Sequence, residues 1–219
     1  MTRRDYGQYC GLARALELVG ERWTLLILRE LLARPSRYTD LLDDLPGIPT
    51  NVLSTRLKEL EEAGIIERRI APAPQRGILY APTEAGQNLQ GAVIALALWG
   101  NTRLGEQEPG EFVPPSSVVM ALRATFNPDA ARGLTASWEI HTGDAVMHAT
   151  VADGQLATGV GPAPGEPDLV ITVPSDEVLT YRAMMQAIKD GPVELKGRRS
   201  LLTTFAKVFA PAGGTPGGG

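Results

Sequence analysis

A chain of 219 residues, 43% of them apolar, has room for two modest domains, each with its own core. Its formal charge of −4 argues against a strongly basic nucleic-acid binder, and a single cysteine cannot close an internal disulfide, which fits a reducing cytoplasm. No apolar run approaches the ~18–20 residues that span a bilayer, and Met1 to Tyr6 does not lead into an apolar signal segment, so the sequence predicts a cytoplasmic protein with no membrane partner.

The first strong element is Trp23 to Leu32, apolar on several faces and therefore a mostly buried helix, closed by Pro35. Tyr38 to Leu45 follows as a short helix directing Leu41, Leu42 and Leu45 inward. Pro46-Gly47 and Pro49 then punctuate a turn, Thr50 can act as N-cap, and a helix runs to a C-cap at Ala63-Gly64. Within it Leu53, Leu57 and Leu60 recur at helical spacing, while Asn51, Thr55 and Lys58 occupy the opposite face with Ser54 at its border. Short hydrogen-bonding side chains with a Lys behind them suit a helix laid into a DNA major groove. Glu59, Glu61 and Glu62 crowd its second half and suit an ordinary surface helix there.

After Gly64, Ile65 to Ile70 and Ile78 to Tyr80 read as two strands around the Pro/Gly-rich turn 71–77. The tip carries Gln75 and Arg76, and the base carries Arg68 and Arg69, well placed to reach phosphates or a minor groove. Helix, helix, recognition helix and hairpin make a winged helix-turn-helix. Thr83 then caps a helix bearing Leu89, Val93, Leu96 and Trp99 at helical spacing.

A Pro-, Gly- and acid-rich linker covers 106–116, and beyond it the texture changes. Ser117 to Thr125 is predicted helical, with another helical turn from Pro128 to Arg132. Strands are expected at Leu134–His141, Ala145–Ala152, Gln155–Val160 and Leu169–Val173, the Asp153-Gly154 pair marking a hairpin. Ser175 should cap a helix with Asp176 and Glu177 in its first turn. A helix over Tyr181–Lys189, a strand over 190–197 and an amphipathic helix from Ser200 to Phe209 complete the domain. The tail, 211–219, is low in complexity and reads as disordered.

The charge divides along the same boundary. Residues 1–105 hold 13 Lys+Arg against 12 Asp+Glu, a balance of +1, and residues 106–219 hold 8 against 13, a balance of −5. The first domain is nearly neutral rather than basic, so its DNA affinity should have a shallow salt dependence and draw specificity from base contacts and a dimer.

Three stretches carry a family resemblance: LARALELVGERWTLLILREL, RYTDLLDDLPGIPTNVLSTRLKELEEAGIIERR and LYAPTEAGQNLQGAVIALALWG. Together they resemble the HxlR family of bacterial winged-helix regulators over residues 10–100. That resemblance implies a homodimeric transcription regulator, usually a repressor, whose first and last helices pack across the dimer axis. By position it implies contacts to double-stranded DNA from Thr50, Asn51, Ser54, Thr55 and Lys58, with Arg37, Tyr38 and Thr39 near the backbone; the hairpin itself adds Arg69, Gln75 and Arg76 as candidate wing contacts. Cys10 stands where some relatives carry a redox-responsive thiol, although those relatives show Cys-Pro and Gly11 follows here. The runs DLVITVPSDEVLTYRAM and AIKDGPVELKGRRSLLTTFAKVF resemble a sterol-carrier-protein-like domain over 117–210. The implied fold class is α+β: a winged helix-turn-helix domain, 1–105, followed by an α/β sterol-carrier-like domain with a five-stranded sheet. Such a domain implies an apolar tunnel for a small-molecule effector, lined by Trp138, Met147, Leu179, Met184, Met185, Leu202, Phe205 and Phe209, unless those residues simply fill a small core.

Other patterns carry less. His141 and His148 lie on neighbouring predicted strands without a supporting acidic or thiol cluster, so no metal is expected. Gly159 to Gly165 lacks the helix start and Lys-Ser/Thr ending of a phosphate loop and reads as a surface loop. No nucleophile elbow and no cofactor fingerprint is present, so neither an enzyme nor a cofactor is expected. The rival reading is a lipid-binding carrier whose winged helix serves only dimerisation.

Overall fold

The computed structural model describes residues 5–72, 76–108 and 110–210. It divides into two compact units, Met1–Leu104 and Gly105–Gly219. In the first unit the elements are α1 (Gly11–Val19), α2 (Thr24–Ala33), α3 (Tyr38–Asp44), α4 (Thr50–Glu62), β1 (Ile66–Ile70), β2 (Ile78–Pro82), α5 (Glu84–Gln87) and α6 (Gln90–Asn101). α2 is the hub. Its Ile27, Leu28 and Leu31 are buried together with Leu41 and Leu45 below α3, and with Leu53, Leu57 and Leu60 from α4. Each such side chain contributes roughly 1.5–3 kcal/mol on burial, which is why the leucine stripe of α4 fixes that helix's rotation. An antiparallel bridge between Ser36 and Tyr80 ties the α2–α3 connection to β2.

Two local details differ from expectation. Thr50 is the first helical residue of α4, and Pro49, in extended backbone, takes the N-cap position without a side-chain cap. Pro has no N–H to satisfy there and presets the extended entry to the helix. The helix after Thr83 is broken in two, α5 and α6, around Asn88 and Leu89. Thr83 does cap α5, accepting from Gly86 N–H, and its hydroxyl also donates to the carbonyl of Gly64. Gly86 packs so closely on the Ile65 carbonyl that a Cβ could not be placed there.

The second unit holds α7 (Pro115–Thr125), β3 (Ala136–Thr142), β4 (Ala145–Ala152), β5 (Gln155–Val160), β6 (Leu169–Val173), α8 (Tyr181–Asp190), β7 (Glu194–Gly197) and α9 (Leu201–Val208). Five strands form one sheet in the order β5-β4-β3-β6-β7, antiparallel throughout except for the parallel β3–β6 pair. Strict alternation buries Ala136, Trp138, Ile140 and Thr142 of β3, and Ala145, Met147, Ala149 and Val151 of β4. This face is covered by α7, packed on β4 and β5, by α8 against β6, and by α9, whose Leu201 carbonyl accepts from Trp138 Nε1. Asp153 and Gly154 both take positive φ, 50° and 74°, the primed turn that an Asp-Gly hairpin requires.

Three expectations are corrected here. The segment after Ser175 is not helical, because Thr142 on β3 claims it: the Thr142 hydroxyl donates to the Glu177 carbonyl and accepts from Leu179 N–H. Thr180 is the N-cap instead, accepting from Ala183 N–H at the start of α8. Pro128 to Arg132 makes turns only, with the Asn127 side chain accepting from Asp129 and Ala130 N–H. Helix α7 starts at Pro115, inside the stretch expected to be linker. Gln75 and the tail 211–219 lie outside the described residues.

Candidate nucleic-acid interface

Recognition by a helix needs one face anchored and the other presented. In α4, Leu53, Leu57 and Leu60 are 0, 2 and 1% exposed, while Thr50, Asn51, Ser54 and Lys58 are exposed and Thr55 is half-buried. The helix keeps its short hydroxyls close to its own backbone. Ser54 Oγ donates to the Thr50 carbonyl at 2.9 Å and Thr55 Oγ1 to the Asn51 carbonyl at 2.8 Å. The Asn51 amide has no side-chain partner among the described residues, so it is the side chain best able to make the bidentate contact that reads adenine. Lys58 Nζ lies 3.7 Å from Glu62, both largely exposed, so the pair is weak and easily exchanged.

Tyr38 does something the sequence did not disclose. From the start of α3 its hydroxyl donates to the Thr50 carbonyl at 2.9 Å and sits 3.2 Å from Ser54 Oγ, locking α3 to the first turn of α4. Arg37 is the N-cap of α3, its N–H held by Asp40, and Thr39 is exposed beside them. Arg56, absent from the expected contacts, turns inward and is held by Glu21 and Glu59.

On the wing, β1 and β2 pair from Ile66↔Pro82 to Ile70↔Ile78, and Arg76 is exposed near the tip. At the base both arginines are already paired. Arg68 meets Glu61 at 2.8 Å and lies over the Tyr80 ring, and Arg69 meets Glu67 at 2.5 Å. Glu67 stands two residues before Arg69 and so shares its face of the strand, a pattern readable in the sequence. The interface is therefore nearly neutral at the level of its side chains as well as in its overall charge.

Cys10 is exposed at the N-terminus of α1, where the amides of Ala13 and Leu12 hold its thiol below the ordinary value. In the second unit the expected tunnel wall is closely packed. Trp138, Met147, Met184, Phe205 and Phe209 are fully buried, and the Trp138, Phe205 and Phe209 rings meet at centroid distances of 4.7 to 6.0 Å. Met185 and Leu202 are half-buried, and Leu179 lies in the irregular segment before α8. Five of the eight expected lining residues thus come together in one buried cluster, while Leu179, Met185 and Leu202 lie at its margin. Among the described residues no cluster of His, Cys, Asp or Glu could hold a metal ion, and no helix is long and apolar enough to cross a membrane.

Residues 18–108 match the HxlR-like helix-turn-helix family. An uncharacterised HTH-type transcriptional regulator of Mycobacterium tuberculosis is 43% identical over 108 residues, 49% of this chain and 66% of that protein. A second, from a Synechocystis strain, is 37% identical over 107 residues, 49% of this chain and 78% of that protein. The HTH-type transcriptional regulator YodB of Bacillus subtilis is 34% identical over 99 residues, 45% of this chain and 86% of YodB. The chain thus spans slightly less than two thirds of the mycobacterial relative's length.

Proposed function

The chain belongs to the HxlR-like helix-turn-helix family, and on that premise we propose that it is a homodimeric, sequence-specific DNA-binding transcription regulator acting as a repressor. The observation that carries this reading is α4, anchored by three buried leucines with Asn51 and Ser54 exposed beside them. A dimer is supported by apolar side chains exposed on the first and last helices of the unit: Leu12 and Leu16 on α1, and Leu96, Leu98 and Trp99 on α6. Two copies of α4 set about one duplex turn apart, ~34 Å, would read a pseudo-palindrome.

The second unit we read as a sterol-carrier-like sensor for an apolar small molecule. Its five-stranded sheet, covered on one face by helices around Trp138, Phe205 and Phe209, supports that reading. An effector would relieve repression only to the extent that it binds one dimer geometry more tightly than the other.

The test is selection of duplexes from a random pool by the full chain, followed by Asn51→Ala on the enriched sequence. We expect two related half-sites, and a loss of about 1–3 kcal/mol in specific binding for Asn51→Ala with the dimer intact. A pool that fails to converge, or an enriched site indifferent to Asn51, would remove the regulator reading.

A further inference from the structure

The connection from β5 to β6 crosses the sheet face opposite Trp138. β5 is an edge strand and β6 lies beyond β4 and β3, so the eight residues from Gly161 to Asp168 must pass over both. Pro162, Pro164 and Pro167 lack N–H groups, so this strap cannot pair as a strand. It is fastened instead at separate points by side chains of the sheet. His148 Nδ1 donates to the Gly161 carbonyl at 3.0 Å, and Ala163 N–H donates to Glu139 Oε2 at 2.9 Å. At the far end Asp168 N–H donates to Ser137 Oγ, and Ser137 N–H donates back to Asp168 Oδ2. Between these fastenings Pro164, Gly165 and Glu166 roof a cleft of about 410 Å³ over Ser137, His148, Thr150 and Ala157. The register explains the floor: Ser137 faces Thr150, Thr150 faces Ala157, and His148 faces Gly159, which has no side chain to fill the space. That volume is in the range of small-molecule sites.

The fastenings also fix the cleft's chemistry. A carbonyl only accepts, so His148 Nδ1 carries a proton and is committed to the strap as a donor. Among the described residues the Thr150 hydroxyl and the Glu166 carboxylate have no hydrogen-bond or ion-pair partner. The unused polar capacity is therefore mainly that of acceptors, beside apolar surface from Ala157, Ala163 and Pro164. We propose that this cleft binds a small molecule that donates hydrogen bonds through hydroxyl or ammonium groups and refuses carboxylates. The site is separate from the apolar core and independent of the DNA-binding reading.

The chain has two histidines, so in full-length protein labelled with ¹⁵N-histidine the His148 ring signals are assigned by comparison with His141→Ala. Glucose, propylammonium and acetate are titrated in separate arms. A saturable shift of the His148 signals with glucose or with propylammonium is expected, the saturating arm naming the donor, and none with acetate. Thr150→Val keeps the shape and removes the hydroxyl, and should weaken the saturating probe roughly three- to tenfold. Glu166→Gln, at an exposed strap position, supplies the same comparison should Thr150→Val not fold. No saturable shift in either donor arm, equal response to acetate, or unchanged affinity in the folded variant would overturn the proposal.

Discussion

Ser54 and Thr55 turn their hydroxyl hydrogens back onto the carbonyls of Thr50 and Asn51, so at rest they present lone pairs outward and leave Asn51 the versatile side chain of the proposed interface. The same economy holds among the cations, where Arg69 meets Glu67 before it can meet a phosphate. Glu67→Gln should leave Arg69 available: the slope of log affinity against log salt steepens by about 1, and low-salt binding tightens. An unchanged slope in fluorescence anisotropy would mean that Arg69 never reaches the backbone. In the second unit Glu139 shows how charge anchors the strap. Burial alone would raise its pKa, but the Ala163 amide, the bond from His141 and the nearby His148 outweigh it, so the carboxyl sits below its usual value. A depressed carboxyl contributes stability that is present above its unfolded pKa and is lost as pH falls through its folded pKa. Urea midpoints of the wild type and Glu139→Gln should therefore differ at about pH 6 and converge toward about pH 3; a gap independent of pH would contradict this.

Helix ends show how far local sequence reaches. Gly64 closes α4 at φ 69° with open space around its Cα, so Gly64→Ala meets no clash and should cost only the left-handed backbone penalty, about 1 kcal/mol by chemical denaturation. Gly86→Ala, pressed on the Ile65 carbonyl, should cost several-fold more; equal losses at the two glycines would show that the close approach is relaxed in solution. The Ala63-Gly64 stop, the Asp153-Gly154 hairpin and the leucine stripe were legible because each is decided within a few residues. The region after Ser175 was not. Ser, Asp and Glu in succession look like a helix start, yet Thr142, over thirty residues earlier, fixes that backbone as an irregular arm. The mutual contact of Trp138, Phe205 and Phe209 was illegible for another reason: their composition is the same whether they line a cavity or pack on one another, and only coordinates give their ring-to-ring distances. The cleft beneath the strap was equally hidden, because its residues come from three strands and a loop that a surface-loop reading leaves without a floor.

At the scale of the whole molecule, charge and association have to be considered together. A first domain balanced at +1, with Arg56, Arg68 and Arg69 all paired to glutamates, cannot hold DNA by electrostatics alone. Under the proposed dimer, strong binding would come from two α4 helices engaging at once, where the second contact gains from the effective concentration set by the first. The exposed Leu96, Leu98 and Trp99 of α6 and Leu12 and Leu16 of α1 are the surface proposed above for that pairing. Trp99→Glu places a charge on that surface without touching α4 or the buried leucines beneath it. Sedimentation should show a shift toward monomer. Affinity for the selected duplex should fall by roughly 10²–10⁴-fold, while weak binding to unrelated DNA changes little. If Trp99→Glu becomes monomeric and still binds a full site as tightly as the wild type, one α4 suffices, and the near-neutral interface would need another source of affinity.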